Sequence, residues 1–168
     1  MSGLRILGID PGSRTTGFGV IEQHGFDLHF VSCGVIRAET DQPMTKRLEA
    51  IYDGICAVIA EHKPDHAAIE NVFVAKNPSS ALKLGQARGV LLLAASQHRL
   101  PLQEFSAKAV KQAVVGYGQA GKEQMQQAVR ALLRLSTSPS ADAADALAVA
   151  MCCANHLALQ GALPKEQP

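Results

Sequence analysis

Tryptophan is missing from this 168-residue sequence, and five phenylalanines and two tyrosines supply all of its aromatic side chains. Hydrophobic residues still make up 47% of the chain, so leucine, isoleucine, valine and alanine must fill the interior. A chain of this length buries roughly two-thirds of its unfolded surface, as one ordinary domain does. We therefore expect a single α/β domain over residues 1–160, followed by a flexible tail at 161–168.

Cysteine motifs and long apolar runs are also absent. The four cysteines, at positions 33, 56, 152 and 153, form no CxxC pair and lie in apolar stretches, where a thiol acts as a small hydrophobic side chain. The longest apolar run, VLLLAA, is far shorter than a membrane span, and the first ten residues show no secretory pattern. We expect a reduced, cytoplasmic protein that does not associate with membranes.

Charge of one sign does not dominate either, because 16 Lys and Arg stand against 15 Asp and Glu. The distribution is uneven, however, since residues 76–134 contain nine basic and two acidic side chains. This excess fits either solvated helix faces or a phosphate-binding surface. Charge alone favours the solvated faces.

The first forty residues predict an antiparallel three-stranded meander. Residues 4–10 form a short apolar run that Pro11-Gly12 interrupts, as expected of a buried central strand. Two further strands are predicted at 16–23 and 27–39, with a turn between them. Glycines at positions 17 and 19 indicate that another part of the chain approaches the second strand closely.

The rest of the chain predicts one mixed sheet with helices on its faces. An amphipathic helix over 44–62 precedes a short strand at 66–70, and this order favours parallel pairing with the first strand. Asn77-Pro78 begins a helix that extends to about residue 97, and a fifth strand is predicted near 100–105. Three helical segments follow, at 107–116, 121–135 and 140–160.

Two aspartates three positions apart, Asp142 and Asp145, begin the last predicted helix. Acidic residues in the first turn of a helix interact favourably with the helix dipole, and small polar side chains cap free backbone amides. A purely structural role is therefore one explanation. Neighbouring like charges on a helix nevertheless cost about 0.2 to 0.5 kcal/mol, which a nearby cation would relieve. Asp10 and Glu70 each end an apolar strand, and parallel strands bring such residues to one edge of the sheet.

Four carboxylates in a partly desolvated site would repel one another unless a cation lay among them. Oxygen ligands suit Mg²⁺, which Mn²⁺ can replace, and no His or Cys pair has zinc-site spacing. Two such ions, about 3.5 to 4 Å apart, can activate water and stabilise the leaving oxygen in phosphodiester cleavage. Taken together, the acids favour a metal site over separate capping or solvation.

The sequence contains four motifs in order: GIDPGSRTTGFGVI at 8–21, AIENVFVAKNPSSALKLGQARG at 68–89, KAVKQAVVGYG at 108–118 and ADAADALA at 141–148. These motifs resemble those of the RuvC family of bacterial Holliday junction resolvases. The resemblance covers almost the whole chain and implies a ribonuclease H-like fold, with a five-stranded mixed sheet flanked by helices. It also implies a homodimer that resolves four-way DNA junctions by paired, symmetric, Mg²⁺-dependent nicking in recombination and repair, with RuvA and RuvB as partners.

The same resemblance assigns roles to individual residues. The family's catalytic and metal-binding acids match the four carboxylates selected above, at positions 10, 70, 142 and 145. Lys111 and Lys122 match basic positions near the scissile phosphate. Phe73, Lys76 and Asn77 are expected to contact DNA, although Phe73 fits loop packing as well as stacking on an unpaired base.

Lys83 and Arg88 allow two interpretations. They could contact phosphate, or the apolar helix that carries them could form the dimer interface, since it also carries Leu82, Leu84, Val90 and Leu91. A twofold dimer would give a four-way junction two matched active sites.

Two other functions compete with junction cleavage. An aspartate and glycines after a first strand also bind nucleotide phosphates in the actin and sugar-kinase superfamily, but such enzymes need two related lobes and this chain has one. The sequence also has neither a Walker lysine motif nor a GxGxxG motif. A catalytically silent junction-binding protein is the third possibility, and the complete acidic set disfavours it.

Overall fold

The computed structural model describes residues 3–71 and 77–162, which form one five-stranded sheet with helices on both faces. The strands are β1 (Leu4–Asp10), β2 (Thr15–His24), β3 (Asp27–Arg37), β4 (His66–Asn71) and β5 (Leu102–Ser106). The helices are α1 (Met44–His62), α2 (Pro78–Gln97), α3 (Ala107–Val115), α4 (Lys122–Leu132) and α5 (Ala141–Ala162).

The sheet has the strand order β3-β2-β1-β4-β5. Strands β1, β2 and β3 form the predicted antiparallel meander, whereas β4 pairs in parallel with β1 and β5 pairs in parallel with β4. The mixed five-stranded sheet predicted from the sequence is therefore confirmed, with each strand and helix close to its expected position. Strand β5 begins at Leu102, two residues after the predicted start.

Successive residues of β1 point to opposite faces of the sheet, as the strand period of two requires. Leu7 and Ile9 contribute to the core under α1 and α2, and Ile6 contributes to the core under α3, α4 and α5. Asp10, four residues after Ile6, therefore lies on the α5 face at the end of its strand.

Helix α5 lies directly on β1 and β2, because glycine leaves room for it. A Cβ at Gly8 would overlap the carbonyl oxygen of Ala146, and one at Gly17 would overlap that of Asp142. At Gly19, a Cβ would lie 2.7 Å from the Leu147 side chain. The predicted close approach at positions 17 and 19 is confirmed.

The buried character of α5 extends around the whole helix. Every residue from position 146 to 154 is buried, which is expected of a helix that is apolar on all sides. The helix continues to Ala162, two residues beyond its predicted end at residue 160. Residues 163–168 lie outside the described residues.

The four cysteines are free thiols, and each is buried or half-buried. Among the helices of the described residues, none combines the length and apolar character needed to cross a membrane.

Candidate active site

Three carboxylates meet where β1 ends and α5 begins. One carboxylate oxygen from each of Asp10, Asp142 and Asp145 lies within 4.8 Å of the other two. In the ranges 3–71 and 77–162, no other set of three His, Cys, Asp or Glu side chains is arranged in this way. The glycines beneath α5 bring these carboxylates together, because they let the first turn of the helix lie close to the end of β1.

Ser140 caps α5 and leaves the aspartates free for another role. Its Oγ accepts a hydrogen bond from the Ala143 N–H at 3.3 Å, and its carbonyl accepts one from the Ala144 N–H at 2.9 Å. Asp142 still lies in the first turn, where its negative charge interacts favourably with the helix dipole. The capping explanation considered from the sequence therefore applies to Ser140 and not to the two aspartates.

Glu70 approaches the three aspartates from the neighbouring strand. Parallel pairing of Ile9 with Ile69 brings Asp10 and Glu70 to the same sheet edge, as predicted. Glu70 is not one of the three clustered carboxylates, but it shares a cavity of about 240 Å³ with Asp145. The structure thus separates the four acids into a tight group of three and one at its border.

Two lysines line the same cavity as Glu70 and Asp145. Lys111 comes from α3, and Lys122 is the first residue of α4. The apolar lining of the cavity consists of Ala107, Val110, Ala120, Met125 and Ala148. The predicted basic positions therefore lie beside the acids, next to an apolar surface.

Burial and mutual repulsion raise the pKa values of three of the acids. The pKa of Asp10 rises to about 8, first because the carboxyl is buried and then because Asp145, Glu70 and Asp142 repel its charge. Burial is also the main cause of the raised pKa of Glu70 and of Asp145. The charge of Lys122 lowers the pKa of Asp10 and of Asp145, but by less than burial raises them.

This donor set fits a hard divalent cation. The available ligand atoms are carboxylate oxygens, which Mg²⁺ and Mn²⁺ prefer, and the group contains no thiolate or imidazole. A bound cation would also remove the repulsion that raises these pKa values. The residues that can hold it are Asp10, Asp142 and Asp145, with Glu70 at the border.

The raised pKa of Asp10 predicts how the stability of the metal-free protein depends on pH. Between the unfolded pKa, near 4, and the folded pKa, about 8, the folded protein binds more protons than the unfolded chain. This contribution to the free energy of unfolding is complete below about pH 4 and is lost as the pH rises through 8. In EDTA, the melting temperature should fall from pH 6 to 9, and Mg²⁺ should raise it more at pH 9.

Calorimetry of wild type and Asp10→Asn in EDTA checks this prediction. The asparagine variant should show a flatter dependence of melting temperature on pH. Parallel profiles for the two proteins would contradict the assignment of this titration to Asp10.

Within the described residues, the structure places no other predicted DNA-binding residue in this cavity. Asn77 caps α2, because its Oδ1 accepts the Ser80 N–H at 2.9 Å. Phe73 and Lys76 lie outside the described residues. Arg88, which the sequence left between two roles, forms an ion pair with Glu104 at 2.7 Å.

Sequence reasoning missed a buried arginine behind the site. Arg47 is 7% exposed and donates from Nη2 to the Ser13 carbonyl at 2.6 Å, in the turn that follows Asp10. In the same turn, the Thr16 hydroxyl donates to the Gly12 carbonyl at 3.0 Å. Arg47 lies four residues before the buried Ile51, so its place on the apolar face of α1 was the available signal.

The sheet order and the acids at the ends of β1 and β4 and the start of α5 define a nuclease of the ribonuclease H-like class. The family model described as "Crossover junction endodeoxyribonuclease RuvC" matches residues 6–153. The chain belongs to the RuvC family, and it is an endodeoxyribonuclease of that family.

Curated relatives support this assignment over nearly the whole chain. The RuvC of Geobacter metallireducens is 52% identical over 160 residues, which cover 95% of this chain and 98% of the relative. The RuvC of Serratia proteamaculans is 57% identical over 146 residues, which cover 87% and 84% of the two chains. Membership at this level of identity removes the ATP-binding alternative.

Solved structures agree with the fold. The Thermus thermophilus RuvC in complex with a Holliday junction substrate matches with a TM-score of 0.88 and 30% identity, over 94% of this chain and 96% of that one. The yeast mitochondrial Holliday junction resolvase Ydc2 matches with a TM-score of 0.67, over 96% and 82% of the two chains. At 14% identity, the second match bears on the fold alone.

Proposed function

We propose that this protein resolves Holliday junctions by paired, symmetric, metal-dependent nicking of DNA strands in homologous recombination and repair. The observation that carries the proposal is the meeting of Asp10, Asp142 and Asp145 at one point of a RuvC-family fold. The T. thermophilus relative was solved with a Holliday junction substrate, which supports the same substrate here.

The acids would act together as ligands of two Mg²⁺ ions, which Mn²⁺ can replace. The tight group of Asp10, Asp142 and Asp145 would hold the ions, and Glu70 would complete the site from its border. When bound, such ions lower the pKa of a coordinated water and stabilise the leaving oxygen. The carboxylates contribute by fixing the ions on a strand end and a helix start, which are rigid elements of the fold.

The two lysines would bind the scissile strand. Lysine neutralises a phosphate as a point charge, and Lys111 and Lys122 line the same cavity as Glu70 and Asp145. A phosphate held by the lysines would therefore lie beside these acids. Asn77 would add a DNA contact through its amide nitrogen, because its Oδ1 already accepts the Ser80 N–H.

Phe73 and Lys76 complete the proposed DNA contacts on the strength of the family resemblance. An aromatic side chain three residues after Glu70 suits stacking on an unpaired base, and Lys76 suits a phosphate.

Removing either lysine should weaken junction binding in a salt-dependent way. Each phosphate contact that is lost lowers the slope of log affinity against log salt by about one. Lys122→Ala and Lys111→Ala should both show this change and nick more slowly, as measured by fluorescence anisotropy in EDTA and by nicking in Mg²⁺. Lys46→Ala, which removes an exposed lysine paired with Glu49 on α1, is the control. Slopes equal to wild type would contradict phosphate contact.

The protein would act as a homodimer through α2. Leu82 and Leu93 are 69% and 51% exposed, and they lie eleven residues apart on one side of the helix. Between them, a Cβ at Gly85 or Gly89 would meet nothing within 4 Å, so a second helix could approach closely. Two copies related by a twofold axis would present two active sites to a symmetric substrate.

The proposal places the reaction in the cytoplasm, with RuvA and RuvB as partners. The partners rest on the family resemblance described above, and the location rests on the four cysteines, which form no CxxC pair and lie in apolar stretches.

A labelled immobile four-way junction, compared with a linear duplex of the same sequence, tests the proposed function. In Mg²⁺, wild type should introduce two symmetric nicks in the junction and leave the duplex intact. Equal nicking of both substrates, or no nicking of either, would overturn the proposal.

A further inference from the structure

We propose that Arg88 is a positioning residue for the nuclease reaction, because it holds the end of β4 that carries Glu70. It does so from the opposite face of the sheet and does not itself contact the substrate. The inference rests on the proposed function, since the position of Glu70 matters only if Glu70 completes the metal site.

One nitrogen of Arg88 joins three elements of the fold. The guanidinium Nη2 donates to the Asn71 Oδ1 at 2.9 Å and to the Glu104 Oε1 at 2.7 Å. Arg88 belongs to α2, Asn71 is the last residue of β4, and Glu104 lies in β5. The Arg88 side chain is 20% exposed, so these contacts are partly shielded from water.

The alternation of β4 places Glu70 and Asn71 on opposite faces of one strand end. Ala68 packs in the core beneath α5, and Ile69 packs in the core beneath α1 and α2. By the strand period of two, Glu70 points with Ala68 toward α5, and Asn71 points with Ile69 toward α2. Arg88 therefore binds the end of β4 on the α2 face of the sheet, while Glu70 projects from the same strand end on the α5 face.

In the described residues, backbone pairing with a neighbouring strand supports this strand end on one side only. Pairing of β4 with β1 extends to Ile69, whereas pairing with β5 continues through Glu70 and Asn71. Beyond Ile69, the contact between Asn71 and Arg88 is a second restraint on the strand. Its loss should therefore let Glu70 shift relative to the aspartates.

The ion pair with Glu104 explains why Arg88 suits positioning better than phosphate binding. Its charge is already compensated, and its Nη2 is directed at two protein acceptors. A partly exposed pair of this kind contributes only about 0 to 1 kcal/mol to stability. The larger effect of removing Arg88 should therefore be on catalysis and not on unfolding.

The test compares Arg88→Met, Asn71→Leu and the double variant with wild type. Single-turnover nicking, the Mg²⁺ concentration for half-maximal rate, Mn²⁺ affinity by calorimetry, and junction affinity in EDTA are measured for each. Both single variants should nick about tenfold more slowly and need more Mg²⁺, as when an outer-shell partner of a metal ligand is lost. Junction affinity and its salt slope should stay unchanged, and the double variant should be no slower than either single variant.

Glu104→Gln is the matched control, because it removes the ion pair but leaves the Asn71 acceptor for Arg88. Its rate should stay within about threefold of wild type, as for a partly exposed ion pair.

Three results would overturn the inference while wild type still nicks junctions. A lower salt slope for Arg88→Met would make Arg88 a phosphate contact, and unchanged rates with a lower melting temperature would make it a packing residue. Additive losses in the double variant would show that Arg88 and Asn71 act separately. Failure of wild type itself to nick in Mg²⁺ would instead overturn the proposed function, and this inference with it.

Discussion

The Asp10→Asn variant should lose junction nicking by a factor of about 10³, while it binds the junction as tightly as wild type. The Asp10 carboxylate lies within 4.8 Å of both α5 aspartates, so an amide removes a central anionic ligand from the group. Nicking and binding are measured separately, by gel analysis in Mg²⁺ and by anisotropy in EDTA.

The same substitution should stabilise the metal-free protein. The raised pKa of Asp10 reflects burial and repulsion from three neighbouring carboxylates, and asparagine removes that charge at nearly constant volume. In EDTA at pH 8, the free energy of unfolding should increase by about 1 to 3 kcal/mol, as when a strained functional site is relieved. A gain in stability with a loss of activity would separate a functional acid from a structural one.

Asp53→Asn provides the control, because it removes an exposed acid from α1. This variant should nick at the rate of wild type, and its free energy of unfolding should change by no more than about 0.5 kcal/mol. Asp10→Asn nicking at the rate of wild type would contradict the assignment of Asp10 as a metal ligand.

The second large effect is expected from Gly17→Ala. A Cβ there would overlap the Asp142 carbonyl oxygen and lie 2.6 Å from its carbonyl carbon, so the start of α5 must move. A displacement of about 1 Å in a catalytic group can lower the rate about 10²-fold. Unlike Asp10→Asn, this variant should also lose about 1 to 3 kcal/mol of stability, as overpacked variants do.

Gly161→Ala is the control for Gly17→Ala, since it lies on the same helix and its Cβ would meet nothing within 4 Å. Its activity should equal that of wild type. Rates are compared at a temperature where circular dichroism shows all variants to be folded. Wild-type rate and melting temperature for Gly17→Ala would contradict the account of how α5 is positioned.

The sequence predicted those parts of the fold that local patterns determine. The apolar run before Pro11-Gly12 placed Asp10 at a strand end, and helical periodicity placed Asp142 and Asp145 at a helix start. Parallel pairing then predicted that Asp10 and Glu70 share an edge, and the register of β1 with β4 agrees. These inferences needed only the order of strands and helices and their periods.

Other features depend on contacts between distant residues. The partners of Arg88 lie 16 and 17 positions away, so its charge could not be assigned from its own segment. Ser140 and Asp142 both suit a helix start, and only the hydrogen bond to the Ala143 N–H distinguishes them. The separation of Glu70 from the three clustered aspartates depends on how β4 and α5 sit across the sheet.

Anomalous diffraction from crystals soaked in Mn²⁺ tests most directly whether the acids form a metal centre. We expect a peak within about 2.0 to 2.3 Å of carboxylate oxygens from Asp10 and at least one of Asp142 and Asp145. The peak should be absent from Asp10→Asn crystals at the same Mn²⁺ concentration. Wild-type crystals with no peak at Asp10, or with Mn²⁺ bound only elsewhere, would contradict this expectation.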